Sequence, residues 1–264
     1  MTIQDLERYS PAGFYDIKDQ LKEFVYACSE EAFELGNSDR DAIMSMEDVK
    51  KRQKMVREKF IDAIGGLPPS DTPLNAKITG TIKCDGFRIE KVIFESRPQN
   101  YVTADLYIPD NITASTAAVQ FLCGHSSQAK HSNDYHTVCL YLVKAGLVVM
   151  AQDPVGQGER FSYYENSIGK NTIGEGTSEH SYAGCQCLPV GDASARYFVH
   201  DAMRGIDYLC SRPEVDSTRI GVTGSSGGGT QTSMMMICDS RIAAAAPGTF
   251  LSGKQDIMWS GLPQ

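Results

Sequence analysis

Gly224-Ser225-Ser226-Gly227-Gly228 reads G-x-S-x-G. A strand-like run, Arg219-Ile220-Gly221-Val222-Thr223, leads into it, and a helix-compatible run from Thr230 to Cys238 leads out. A strand that turns this sharply into a helix needs small residues around the apex, and the apex residue stands exposed at the sheet edge. The following helix aims unpaired N–H groups at any negative charge formed there. Ser226 is therefore the candidate nucleophile. The plain alternative is a glycine-rich turn with no chemistry. Two nucleotide-binding patterns come close and fail. Thr223-Gly224 opens a T-G-x-x-x-G-x-G turn whose last glycine position holds Thr230. Gly248 to Lys254 fits G-x-x-x-x-G-K, but Gln255 stands where a magnesium-binding Ser or Thr belongs.

Working back from this turn, short apolar runs at Ala118–Cys123, Leu147–Ala151, Arg219–Thr223 and Ile242–Ala246 read as strands covered on both faces. Helical patterns at about Asn133–Ala145, Ala193–Ser211 and Gly227–Cys238 separate them. The order predicts an α/β fold with a doubly wound, mostly parallel sheet. Ahead of it, Tyr101 to Ile108 alternates polar and apolar, and Lys77–Lys83 and Phe87–Glu95 are its expected antiparallel neighbours around an Asp85-Gly86 turn. Residues 1–70 read as an N-terminal helical extension, with one helix stopped by Gly36-Asn37 and a second, about Glu47 to Ile64, stopped by Gly65-Gly66. Residues 71–264 form the expected core. Within it, residues 156–192 show no clear period and read as a long functional loop or lid.

Composition narrows the function classes. The 264 residues are 41% hydrophobic, enough to bury a sizeable core, and carry a formal net charge of -8. An acidic surface argues against a nucleic-acid or anionic-membrane partner. Neither a signal peptide nor a transmembrane run stands out. The eight cysteines are scattered, and Cys185-Gln186-Cys187 lacks a second pair at zinc spacing. The expectation is a reduced, cytoplasmic protein without metal or organic cofactor, with the oligomeric state open.

Around Ser226, acyl-transfer chemistry would need two oxyanion donors. The backbone N–H of Gly227 is one, and Phe121-Leu122-Cys123-Gly124-His125-Ser126 ends an earlier strand where His125 or Ser126 would present the other. The His125 side chain is open to reading as ligand, base or loop residue, and its position favours the backbone role. Asp153-Pro154-Val155-Gly156-Gln157-Gly158-Glu159-Arg160 is on its face a β-turn, yet it follows a strand at the sheet edge where such folds bind ligands. Asp153, Glu159, Arg160 and, in the lid, His180 are the substrate-pocket candidates.

Gly124-His125-Ser126, the Asp153–Arg160 turn, Asp201 to Leu209, Arg219 to Thr230 and Gly65-Gly66-Leu67-Pro68 together resemble the acetyl xylan esterase branch of the α/β-hydrolases, with dienelactone hydrolases and peptidases as relatives sharing the turn. The resemblance implies serine-dependent hydrolysis of short acyl esters, often acetyl groups on sugars, with Ser226 as nucleophile and Gly227 and His125 as oxyanion donors. It implies a small-molecule or carbohydrate ester as substrate. Rival readings are a non-catalytic binding or scaffold protein of the same fold and a serine peptidase. One departure matters. In this fold the triad runs Ser, then acid, then His. All five histidines, at 125, 131, 136, 180 and 200, precede Ser226, and only Asp239 and Asp256 follow it as acids. Two further strand–helix units would need on the order of 45 residues, more than residues 227–264 hold beyond the last strand. The expectation is a C-terminally truncated chain with almost no activity of its own.

Overall fold

The structure, a computed structural model, describes Thr2 and residues 18–260; the rest of the expected N-terminal extension lies outside the described residues. The main sheet begins with five strands: β1 (Lys77–Lys83), β2 (Phe87–Arg97), β3 (Asn100–Pro109), β4 (Thr116–Leu122) and β5 (Val148–Gln152). A separate pair, β6 (Tyr164–Glu165) and β7 (Lys170–Asn171), follows, and β8 (Val215–Ser225) and β9 (Ile242–Gly248) complete the main sheet. Its spatial order is β1-β2-β3-β5-β4-β8-β9. The first three strands and the β3–β5 pair are antiparallel, whereas β5, β4, β8 and β9 run parallel. This is the mixed, mostly parallel sheet that the alternating apolar runs predict.

Strand alternation sorts the core into two layers. Leu106 and Ile108 of β3 and Val148 and Met150 of β5 face one side, where they pack with Val199, Ala202, Ile206 and Leu209 of a long helix. Tyr107, Val149 and Ala151 face the other, against Cys139 and Val143. The helices concerned are α3 (Asn133–Lys144) on the second face and α5 (Ser194–Cys210) on the first, joined there by Met235 and Cys238 of α6 (Gly227–Cys238). After β4 the chain enters β5 on one side, and it later returns to β8 on the other. The carboxyl ends of β4 and β8 therefore flank a switch point, where open α/β sheets leave a crevice.

One expectation changes. Helix α1 (Gln20–Asp41) runs straight through Gly36-Asn37; a mid-helix glycine costs only about 1 kcal/mol relative to alanine, and the Arg40 guanidinium meets the Asn37 side chain on the same turn. Helix α2 (Met46–Ala63) ends as expected, since Gly65 and Gly66 take φ of 82° and 81° and Gly66 N–H reaches back to the Ile61 carbonyl. The 156–192 segment, expected to be a long loop or lid, holds β6, β7, α4 (Thr177–Cys187) and a short 3₁₀ turn at Leu188–Val190. The compact units divide at 51/52, inside α2, and the segment from Ser252 groups with the N-terminal unit. In that unit α7 (Lys254–Ser260) meets α1, where the Tyr26 hydroxyl donates to the Met258 carbonyl at 3.1 Å and its ring lies edge-on to Trp259. Among the described residues no helix is long and apolar enough to cross a membrane, and all eight cysteines are free thiols.

Candidate active site

Ser226 sits alone between the last residue of β8 and the first of α6, at φ 57° and ψ −121°. A side chain at positive φ costs on the order of 1–3 kcal/mol unless its surroundings impose it. They do. The Ser226 N–H donates to the Gly248 carbonyl at 3.1 Å and to Thr249 Oγ1 at 2.7 Å, and its carbonyl accepts from Thr230 N–H at 2.9 Å. Thr249 is itself at φ 58°, with its hydroxyl on the Gly248 carbonyl. Glycine is required just after the apex: a Cβ on Gly228 would fall onto the Leu122 carbonyl of β4.

The register pairs Leu122 with Gly224, so Gly124–Ser126 and Ser226 emerge at the same sheet edge. The His125 imidazole lies over Gly227, its ring atoms 2.7–3.0 Å from where a Cβ there would stand. Gly227 opens α6, so its N–H has no intrahelical acceptor. Of the two alternatives for a second donor, Ser126 drops out, because its N–H is already given to the Gly124 carbonyl at 2.8 Å. The His125 N–H has no acceptor among the described residues.

Sequence reasoning missed what aims that N–H. Gln157, almost fully buried, donates from Nε2 to the Gly124 carbonyl at 2.7 Å and the Ser126 carbonyl at 2.5 Å. In a trans peptide the carbonyl of Gly124 and the N–H of His125 point opposite ways, so holding one directs the other. Gln231 adds a second tie, from α6 to the Cys123 carbonyl at 3.2 Å.

The pocket candidates separate. His180 is brought to the site: its ring lies 5.4 Å from that of His125 and edge-on to Phe198 at 4.9 Å. Its Nε2 donates to the Val155 carbonyl at 2.7 Å, which leaves Nδ1 as the lone-pair nitrogen. Burial pushes His180 below the usual histidine range, and burial followed by the neighbouring His180 does the same to His125. Glu159 lines a cavity of about 340 Å³. Lys130 Nζ, 2.6 Å from its carboxylate, holds Glu159 below the usual carboxylate range.

Asp153 and Arg160 are corrections. Asp153 is fully buried and accepts from Thr103 Oγ1 at 2.7 Å, from the Lys130 side chain, and from the N–H groups of Lys130 and Glu159 at 3.2 Å. Arg160 spends its guanidinium on Asp201 at 2.7 Å and on the carbonyls of Tyr101 and Asp153. Both anchor the turn through these contacts; a buried charge must be paired. Glu179 is the counterpart missed in the 156–192 segment. It is fully buried, accepting from Ser162 N–H at 3.0 Å and Asn171 Nδ2 at 2.9 Å. No group of three or more His, Cys, Asp or Glu among the described residues could hold a metal ion.

Residues 75–258 match the acetyl xylan esterase (AXE1) family. A search of curated proteins found no match. Among solved structures, the chain is similar to a putative acetyl xylan esterase from Bacteroides fragilis at a TM-score of 0.64 and 22% identity, covering 76% of this chain and 54% of that one. It is likewise similar to a methylesterase at 0.63 and 22%, covering 79% and 43%. A third is Acetyl Xylan Esterase 1 from Thermoanaerobacterium sp., at 0.55 and 18%, covering 77% and 62%. The chain thus spans about half the length of the first two structures. These likenesses show the fold, and the family match covers well over half of the sequence. The chain belongs to the acetyl xylan esterase family.

Proposed function

We propose that Ser226 is the nucleophile of a carboxylic ester hydrolase acting on short acyl, chiefly acetyl, esters of a carbohydrate. The observation that carries the reading is the Ser226 backbone at φ 57° and ψ −121°, a costly conformation imposed by the Gly248–Thr249 contacts at the mouth of the sheet. In this mechanism Ser226 Oγ attacks the acyl carbonyl. The N–H groups of Gly227 and His125 receive the oxyanion, the alcohol departs with a proton, and water then releases the acid from the acyl-serine. The Asp153–Arg160 turn and the 156–192 segment cover the site, with Gln157 directing the His125 peptide.

The step that deprotonates Ser226 needs a base, and no histidine hydrogen-bonds to Ser226 among the described residues. The reading therefore needs a base and an acid that the described residues do not bring to Ser226. It also carries the finer expectation of a reduced, cytoplasmic setting, supported by the eight free thiols. The test is p-nitrophenyl acetate hydrolysis by the 264-residue chain and by a form extended through the downstream coding sequence. Ser226-dependent turnover confined to the extended form is expected. Equal Ser226-dependent turnover in both would put the base among the five histidines of this chain, and turnover in neither would sink the hydrolase reading.

A further inference from the structure

We propose that His125 and His180 form an exchangeable two-imidazole site for a divalent transition ion such as Zn²⁺ or Cu²⁺, and that an ion held there shuts the neighbouring Ser226 site. The inhibitory half rests on the hydrolase reading, whereas the binding half stands without it. The two ring centroids lie 5.4 Å apart, with the ring planes inclined at 53°. Two imidazoles bound to one tetrahedral ion, each at about 2.0–2.1 Å, place their centroids about 5.2 Å apart. The pair already has the spacing of two ligands on one ion, and its rings are neither stacked nor coplanar.

The nitrogens are disposed for the same role. A ligating imidazole must be neutral, with a free lone pair. His180 Nε2 donates to the Val155 carbonyl at 2.7 Å, so Nδ1 carries the lone pair. A metal-bound histidine almost always gives its other N–H to such an acceptor, which fixes tautomer and ring orientation. Among the described residues no hydrogen bond engages His180 Nδ1 or either ring nitrogen of His125. Burial holds both rings below the usual histidine range, and His180 lowers His125 further, so both are neutral near pH 7. The Glu179 carboxylate, fully buried next to His180, adds negative charge that favours a cation. Imidazole donors select Zn²⁺ or Cu²⁺ over Mg²⁺ and Ca²⁺, which take oxygen. Tight sites use three or four protein ligands; two leave the remaining positions to water and make binding reversible.

Position supplies the consequence. The His125 ring lies over Gly227, with atoms 2.7–3.0 Å from where a Cβ there would stand. The N–H groups of these same two residues are the oxyanion donors of the hydrolase reading. An ion on the His125 ring stands at the mouth of that site, and the water it keeps competes with the acyl oxygen.

The test is Zn²⁺ titration of the 264-residue chain carrying isotope-labelled histidine, with the exposed Cys28 and Cys185 thiols first blocked by iodoacetamide. The His125 and His180 imidazole signals should shift together and saturate at one ion per chain. Those of His131, His136 and His200 should stay in place, and Mg²⁺ should move none. His125→Ala should abolish the shift of His180. His180→Gln keeps a donor for the Val155 carbonyl but removes the imidazole, and should weaken Zn²⁺ at least about tenfold. His131→Ala should leave the affinity unchanged. Shifts in neither or only one of the two rings, or undiminished binding in both His125→Ala and His180→Gln, would overturn the site. In the catalytically active protein Zn²⁺ should lower p-nitrophenyl acetate turnover over the same concentration range, and His180→Gln should escape that loss. Saturation without loss of turnover would overturn the inhibitory role. Zn²⁺ binding in a protein with no Ser226-dependent turnover at all would sink the hydrolase reading and leave the ion site standing.

Discussion

The Ser226 turn and the segment from Asp153 to Asp192 meet at one sheet edge but are held by different means. At the turn, backbone lies against backbone: Gly228 abuts the Leu122 carbonyl, and Ser226 N–H reaches Gly248. In the second segment, buried side chains do the holding: Asp153 gathers four donors, Gln157 bridges two carbonyls, and Glu179 joins Ser162 to Asn171. The first kind of contact leaves no room for side chains. The second leaves the backbone free to wander until one carboxylate or amide is in place. Substitutions in the two regions should therefore fail differently, the turn through chemistry and the second segment through stability.

The largest effect is expected at the turn. In a form carrying the full catalytic machinery, Ser226→Ala should lower turnover roughly a million-fold, the scale seen when a triad nucleophile is removed, with little change in thermal melting. Turnover reduced only a few-fold would mean the strained serine is not the reacting group. Next is Asp153→Ala, which leaves the Lys130 ammonium buried beside Glu159 alone. Breaking a buried pair this way should cost about 3–5 kcal/mol of stability, read by urea unfolding. A cost below 1 kcal/mol would show that the turn does not depend on its carboxylate.

Smaller again is Glu179→Ala. It strands the Ser162 N–H and the Asn171 amide, a loss of about 1–3 kcal/mol. The effect should stay local, appearing as faster hydrogen exchange and proteolysis within 156–192 while the sheet keeps its protection; uniform loosening of the whole chain would contradict the division drawn above. The smallest effect is with pH. Burial lowers His180 and His200 in the folded protein. Their contribution to stability is thus fully present above the unfolded value of about 6.5 and lost as pH falls from there through the folded values. Melting temperature should decline across that window, and less so in His180→Gln, whose amide can keep the bond to the Val155 carbonyl. A melting curve independent of pH there would remove the burial argument.

The same contrast explains what could be read from sequence. Glycines at 224, 227 and 228 advertise the turn because close backbone approach permits nothing larger, and the apolar runs at 118–123, 147–151 and 242–246 advertise covered strands. Asp153 and Arg160 were legible as residues of the right turn, but not as inward-facing anchors, since polar residues in a Gly-rich loop look alike whether buried or exposed. Helix α4 carries no apolar stripe, so nothing in Thr177–Cys187 shows a helical period, and Gln157 and Glu179 belong to no motif. Thr249, which braces Ser226 from beyond β9, is likewise silent in sequence because its partner is 23 residues away. Gly36 misled in the opposite direction: a glycine that can end a helix need not.

The most direct measurement of the central claim is rapid-quench mass spectrometry of the catalytically active protein mixed with p-nitrophenyl acetate. The account predicts one acetyl group on the peptide that contains Ser226, formed during the burst of p-nitrophenol and absent in Ser226→Ala. A burst with the acetyl group on another residue, or steady turnover with Ser226 never acetylated, would contradict it.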